Sequence, residues 1–331
     1  MRPFRPYSYQ KKVISIGSRM IQNITSYPKY VKIVEVGPRD GLQNEPGPII
    51  PTSVKVKLID LLATSGLKSI EAAAFVSPKW VPQMADAEQI MSSIDRINGV
   101  QYSVLVPNLS GFNRAKNAGA EQVSIFASAS EAFSQKNINC SIEESFGRFQ
   151  EVLDAASSSK ITVRGYVSCV VGCPYTGAVD PDAVAIVAAR LIEMGCSEVS
   201  LGDTIGTGTP GSVQKMLNAV TSKVSKSQLA VHFHDTYGQG LSNILCALSM
   251  GISIIDSSVA GLGGCPYAVG ASGNVATEDV VYMLQGMDIQ TGVFLEKLLD
   301  ASDYICKEIG RPPTGRAARA LLAKRQSANR T

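Results

Sequence analysis

From residue 31 onward, short β-branched runs alternate with longer amphipathic stretches, and this rhythm limits the folds open to the chain more than any single motif does. The runs are VKIVEVG (31–37), SIEAAAF (69–75), YSVLVP (102–107), QVSIFAS (122–128), TVRGYVS (162–168), SEVSLGD (197–203), AVHFHD (230–235) and IIDSSVAG (254–261). Helical spacing of apolar residues fills 52–65, 110–118, 142–157, 180–194, 210–222 and 238–250 between them. It returns at 275–286 and 294–308. Asn108 and the pair Asp180–Pro181 supply helix starts, and Gly119, Gly195 and Gly251 supply stops. Eight strands, most followed by a helix, predict one α/β domain over residues 31–310: a (β/α)8 TIM barrel with extra C-terminal helices.

Charge sets the two ends apart from this body. Of 31 basic and 28 acidic residues, six basic ones lie in residues 1–30 and six in 311–331, and neither end carries an acid. The body is therefore near −9, which argues against a nucleic-acid partner. No uninterrupted apolar run reaches the roughly 18 residues a membrane span needs. Residues 1–30 read either as a mitochondrial transit peptide, addressing the chain to the matrix, or as a disordered basic tail. Residues 311–331 read as a basic tail with a solvated helix. Seven cysteines, odd in number and scattered, indicate free thiols in a reducing compartment rather than a disulfide framework.

In such barrels the chemistry sits at the C-terminal ends of the strands. Arg39 and Asp40 follow the first run, Glu71 lies in the second, Arg164 in the fifth, and Asp203 ends the sixth. The chain has two histidines, His232 and His234, and both close the seventh run. Residues i and i+2 of a strand point to one face, so the two imidazoles can reach one metal ion. Asp40 and Asn274 are the oxygen donors that barrel closure brings nearest. A His, His, Asp and Asn set suits Mg2+ or Mn2+ better than a structural zinc site, which favours thiolates. Two histidines and one carboxylate would also serve a non-haem iron oxygenase, an outside alternative. The last run opens into residues 257–274, SSVAGLGGCPYAVGASGN, five glycines around Cys265. That composition suits a lid whose thiol donates or accepts a proton at the closed site. Cys169 and Cys173 lack further thiolate partners and read as structural.

The stretches VEVGPRDGLQNE, FVSPKWVPQMAD, NINCSIEES, RGYVSCVVGCP, SLGDTIGTGTPG, VHFHDTYGQ and DSSVAGLGGCPYAVGASGNVATEDVVYML resemble, in unbroken order, the 3-hydroxy-3-methylglutaryl-CoA (HMG-CoA) lyase family. These enzymes belong to a wider group of barrel metal-dependent lyases and Claisen-type synthases. The resemblance implies cleavage of the acyl-CoA to acetoacetate and acetyl-CoA, a step of leucine breakdown and ketone-body formation. It makes Asp40, His232, His234 and Asn274 the metal ligands, Arg39 a substrate-binding residue near the thioester, and Cys265 the lid thiol. Arg39 suits a developing enolate oxygen, because its charge is permanent. Asp40, Asp203 or metal-bound water could serve as base. Glu71 and Glu278 would be supporting carboxylates that orient Arg39 or the ligands, and Arg164 a second substrate contact. A homodimer is left open. Two departures from the family pattern stand out: Ala72-Ala73-Ala74 where hydroxyls are usual after Glu71, and Pro46 where a lysine is common. A synthase of the same fold and a non-catalytic acyl-CoA-binding barrel are the competing readings.

Overall fold

A computed structural model describes residues 27–264 and 273–328. The eight runs are eight parallel strands: β1 (Lys32–Glu35), β2 (Ser69–Ala74), β3 (Gln101–Leu105), β4 (Gln122–Ser128), β5 (Thr162–Ser168), β6 (Glu198–Asp203), β7 (Leu229–Phe233) and β8 (Ile254–Ser257). Each pairs with its neighbour in sequence, and β8 closes the ring on β1 with Lys32 opposite Ile254 and Glu35 opposite Ser257. The fold is a TIM barrel.

The expected helices form as α1 (Thr52–Thr64), α3 (Leu109–Asn117), α5 (Ile142–Ser159), α6 (Pro181–Met194), α7 (Pro210–Thr221), α8 (Gly240–Ser249), α9 (Thr277–Gly286) and α10 (Leu295–Glu308). Side-chain oxygens cap both starts expected from the sequence: Asn108 accepts from the Gly111 amide and Asp180 from the Asp182 amide. Gly195 ends α6 in the left-handed conformation that glycine adopts most cheaply. Two short helices escape the periodicity, α2 (Ala87–Ser93) and α4 (Glu131–Ile138). So does a small antiparallel hairpin pairing Gly172–Cys173 with Gly177–Ala178. The basic tail forms α11 (Arg316–Ala328), and it is anchored rather than merely solvated. Its first amides, Arg316 and Ala317, donate to the Asp279 carboxylate, and Arg325 pairs with Glu296 and Asp300.

Two interiors result from the strand pleat. Side chains pointing outward, such as Val163 and Val167 of β5, join the apolar shell between sheet and helices. Gly165 lies between them because a Cβ there would approach Leu191 to 3.0 Å. Side chains pointing inward are polar for much of the ring. Arg164, Tyr166, Ser200, His232, Asp256 and Glu71 come from five strands and meet one another across the barrel. Burying so many polar groups is tolerable only because nearly every one has a partner.

Candidate metal centre at the barrel rim

Asp40, His232 and His234 converge, with one ligand atom from each lying within 4.8 Å of the others. The imidazole Nε2 atoms are 3.3 Å apart, and His232 Nε2 is 3.8 Å from Asp40 Oδ2. The two-residue period at the end of β7 produces the first approach. A single π-helical turn, Gly37–Gly41, produces the second. That turn is pressed against the base of the glycine-rich loop, where a Cβ on Gly41 would stand 2.7 Å from Leu262 Cβ. Only a residue without a side chain lets the Asp40 carboxylate come this close to the histidines. A π-turn of this kind is a recurrent device at functional sites.

Asn274 completes the cluster. Its Nδ2 donates to Asp40 Oδ2 at 2.7 Å and to the Leu262 carbonyl at 3.3 Å. An isolated antiparallel bridge pairs Asn274 with His234, and Asp235 donates its amide to the Gly273 carbonyl. The far leg of the glycine-rich loop is thereby docked on the end of β7. Cys265 lies outside the described residues. Gly264, just before it, lines the cleft.

Arg39 stands beside the cluster with 6% of its surface exposed. Its Nε donates to Glu71 Oε2 and its Nη1 to Asp40 Oδ1, both at 2.6 Å. Tyr166 donates its hydroxyl to the same Glu71 oxygen at 3.2 Å, and its ring lies 5.5 Å from the Arg39 guanidinium carbon. One Glu71 oxygen therefore holds both Arg39 and Tyr166. Its other oxygen, Oε1, has no hydrogen-bond partner.

The charges around the cluster suit a cation. Burial alone would raise the Asp40 pKa, but Arg39, both histidines and the Asn274 amide outweigh it and hold the carboxyl well below the usual range. Burial, helped by neighbouring His232 and Arg39, lowers His234 to about 4. His234 is therefore neutral at physiological pH, the state in which an imidazole binds metal. Thr204 approaches His234 from the backbone, yet His234 Nδ1 closes no hydrogen bond of normal geometry. Carboxylate, amide and two imidazoles make a donor set that fits a divalent cation.

Asp203 is fully buried at the end of β6. Burial raises its pKa; Oδ2 accepts from the Gly208 amide, and Oδ1 has no partner. Two expectations need correction. Arg164 is no substrate contact: it points into the barrel from the lower part of β5, outside the cleft lining, with its guanidinium committed to Glu198 and Asp256. Glu278 orients neither Arg39 nor the ligands; it accepts the Ala260 amide at 2.9 and 3.1 Å, at the root of the glycine-rich loop.

Sequence reasoning missed Tyr166, Asp256 and Glu35. Asp256 binds His232 Nδ1 at 3.2 Å. Glu35 accepts the amides of Gly37 and Val259 and the Thr277 hydroxyl, tying the π-turn to the glycine-rich loop. A buried acid inside an apolar run was the available signal, the same one that marked Glu71. Above the cluster opens a cleft of about 920 Å3. Arg39, Asp40 and both histidines face it, as do Tyr166 and Phe126, and Lys136, Arg148 and the exposed Trp80 border it. Ala72, Ala73 and Ala74 are buried and outside its lining.

Comparison with known proteins agrees with this geometry. Residues 30–305 match the family model described as HMGL-like. The mitochondrial hydroxymethylglutaryl-CoA lyase of Rattus norvegicus is 59% identical over 306 residues, 92% of this chain and 94% of that one. A hydroxymethylglutaryl-CoA lyase structure from Pseudomonas aeruginosa superposes with a TM-score of 0.88 at 57% identity, covering 90% of this chain and 99% of its own. An HMG-CoA lyase from Acinetobacter baumannii, solved with coenzyme A and 3-methylmalate, has a TM-score of 0.85 at 36% identity, covering 90% of this chain and 97% of its own. With the family model spanning residues 30–305 and relatives this similar over most of their length, the chain belongs to the HMGL-like family.

Proposed function

We propose that the protein is a divalent-metal-dependent carbon–carbon lyase that cleaves 3-hydroxy-3-methylglutaryl-CoA into acetoacetate and acetyl-CoA. One observation carries the reading: the buried Arg39 guanidinium is fixed directly beside the Asp40, His232 and His234 cluster at the floor of the cleft. Asp40, His232, His234 and Asn274 would hold the ion, Mg2+ or Mn2+. When bound, such an ion supplies Lewis-acid polarisation of the substrate's hydroxyl and acyl oxygens.

Cleavage removes the proton from the C3 hydroxyl, breaks the C2–C3 bond, and leaves its electron pair on the acetyl thioester as an enolate. Arg39 faces the enolate oxygen, held ready by Glu71 and Asp40 so that no reorganisation is needed as charge develops. By proton affinity Asp203, though buried behind the cleft-lining Gly202 and Thr204, is better suited than the cleft-lining Asp40 to take the hydroxyl proton. Its pKa is raised and Oδ1 is unpartnered, whereas Asp40 is bonded through both oxygens and held ionised. Cys265 returns a proton to the enolate carbon. Lys136 and Arg148 offer charge for the coenzyme's phosphates, where Pro46 offers none. The relatives' mitochondrial naming supports import of this chain through its basic first 30 residues, with the matrix as destination.

The test is acetoacetate release from the thioester by protein treated with EDTA and then given Mg2+ or Mn2+. Release should vanish with the chelator and return with either ion. Release that ignores the chelator, or condensation of acetyl-CoA with a keto acid in its place, would overturn the proposal.

A further inference from the structure

His232 and His234 are held very differently. His234 has only the Thr204 backbone nearby, and its Nδ1 closes no hydrogen bond of normal geometry. His232 Nδ1 meets Asp256 Oδ2 at 3.2 Å, and that carboxylate is the hub of a closed network. Arg164 grips it with two donors, Nη1 to Oδ2 at 3.0 Å and Nη2 to Oδ1 at 2.7 Å. Ser200 donates to Oδ2 at 2.8 Å. Glu198 accepts from Arg164 Nε at 2.6 Å and also from Lys32. Asp256 is 1% exposed and Arg164 2%, so water does not compete for these bonds.

We propose that Asp256, locked by Arg164 and Ser200, is a positioning residue that fixes His232 as its Nδ1–H tautomer and thereby presents the Nε2 lone pair to the metal centre. The argument is one of donors and acceptors. Facing Arg164, Asp256 is an ionised carboxylate, and an ionised carboxylate only accepts. The ring nitrogen it meets must then carry the proton. The other nitrogen, Nε2, is left as the bare donor aimed at His234 Nε2 and Asp40 Oδ2. A histidine ligand whose tautomer is preset by a carboxylate binds metal more tightly, and losing that carboxylate typically costs 10–100-fold in affinity. The network spans the barrel, since Arg164, Glu198 and Ser200, His232, and Asp256 belong to β5, β6, β7 and β8 respectively. The ring closure of the sheet is thus what sets the ligand's protonation pattern.

The inference rests on the metal-site part of the proposed function, but its first test needs neither metal nor substrate. The chain has two histidines, so an imidazole-15N spectrum of EDTA-treated protein contains two rings. A His234→Asn variant assigns them. Near pH 7.5 His232 should appear as the Nδ1–H tautomer. Finding it as Nε2–H would overturn the proposal whatever any variant does.

Asp256→Asn supplies the second arm. Arg164 would claim the amide oxygen and turn the NH2 toward His232 Nδ1, driving the proton to Nε2. Glu198 still balances the guanidinium in that variant. The expected result is an inverted tautomer and Mn2+ binding weakened about 10–100-fold by calorimetry. An unchanged tautomer with unchanged Mn2+ affinity would overturn the proposal. Should Asp256→Asn not fold, the spectrum of the unaltered protein decides alone. A preset His232 in a protein inactive toward the thioester would sink the lyase reading and leave this inference standing.

Discussion

Two buried arginines stack on the same ring from different depths of the barrel. Arg39 lies 5.5 Å from the centre of Tyr166 and Arg164 lies 4.9 Å from it. Each is clamped by two carboxylates: Arg39 by Asp40 and Glu71, Arg164 by Asp256 and Glu198. Both guanidiniums are held firmly in the charged state; burial opposes this, but the paired acids outweigh it. What separates them is height. At about 3.3 Å per residue, Arg164 sits roughly 13 Å below Ser168, the cleft-lining end of its strand. Arg39 occupies a turn beyond the end of β1 and faces the cleft. The same chemical device faces the cleft at the rim and is enclosed within the barrel below it.

The comparison can be broken by removing each arginine. The largest effect expected is on stability, from Arg164→Ala, which strands Asp256 in the barrel and leaves Glu198 with Lys32 alone. Breaking a buried pair in this way costs about 3–5 kcal/mol, read as a lower midpoint in chemical denaturation. Arg39→Ala should act chiefly on the chemistry. By analogy with one lost oxyanion donor, kcat should fall about 10²–10³-fold, or about 3–4 kcal/mol of barrier. Steady-state kinetics at saturating Mn2+ would show it. If Arg164→Ala slowed turnover at saturating Mn2+ in a fully stable protein, the division between rim and floor would fail.

A third class of buried acid sharpens the contrast, since it has no arginine. Asp40 and Asp256 are held well below the usual carboxylate range by the cations beside them, against burial. Glu35 and Glu278 are held by backbone amides and hydroxyls, and burial pushes them up to about 7 and about 8. Their raised pKa values mean the folded chain binds more protons than the unfolded chain between about pH 4.5 and 8. Their contribution is complete below the unfolded value and is lost as pH rises through the folded one. Asp40 and Asp256 work the opposite way: their contribution is present above the unfolded value and is lost only as pH falls into acid. His234, lowered to about 4, has stopped titrating in both states above about pH 7.5. Between pH 7 and 8.5 the melting temperature should therefore fall, and Glu35→Gln or Glu278→Gln should flatten that slope by about 0.5–2 °C, Glu278→Gln the more. Parallel melting curves for variant and native protein would remove the assignment.

Much of this was legible in the sequence, and the reasons are specific. The strands of a closed parallel barrel are buried on both faces, so β2, β4 and β7 read as near-continuous apolar or small-residue runs. The histidine pair was legible because a period of two carries its own geometry. Arg164 was misplaced because position in the strand fixes depth, and a sequence shows which strand holds a residue more easily than which end faces the ligand. Glu278 was misplaced for a related reason. It begins a helix after the glycine-rich loop, and nothing local reveals that its carboxylate folds back onto the Ala260 amide, 18 residues earlier. Asp256 and Glu35 were passed over inside apolar strands. The short helices α2 and α4 and the π-turn were hidden because seven, eight and five residues are too few to show a period.

The last expected effect probes the contact between the two layers. Tyr166→Phe keeps the ring against both guanidiniums but removes the hydroxyl that Glu71 Oε2 accepts at 3.2 Å. Glu71 then depends on Arg39 alone, with Oε1 already unpartnered. One lost hydrogen bond to a charged acceptor is worth about 1.5–3 kcal/mol, and the small void left by the oxygen offsets little of it. If the hydroxyl only supports the barrel, stability should fall while kcat stays put. If it helps aim Arg39 through Glu71, kcat should fall a few-fold at unchanged Mn2+ affinity. The geometry favours the second outcome, because Arg39 and Tyr166 share a single Glu71 oxygen and the rim arginine must adjust when its one competitor for that oxygen is gone. The floor arginine, bonded to Asp256 and Glu198 and not to Glu71, should not notice.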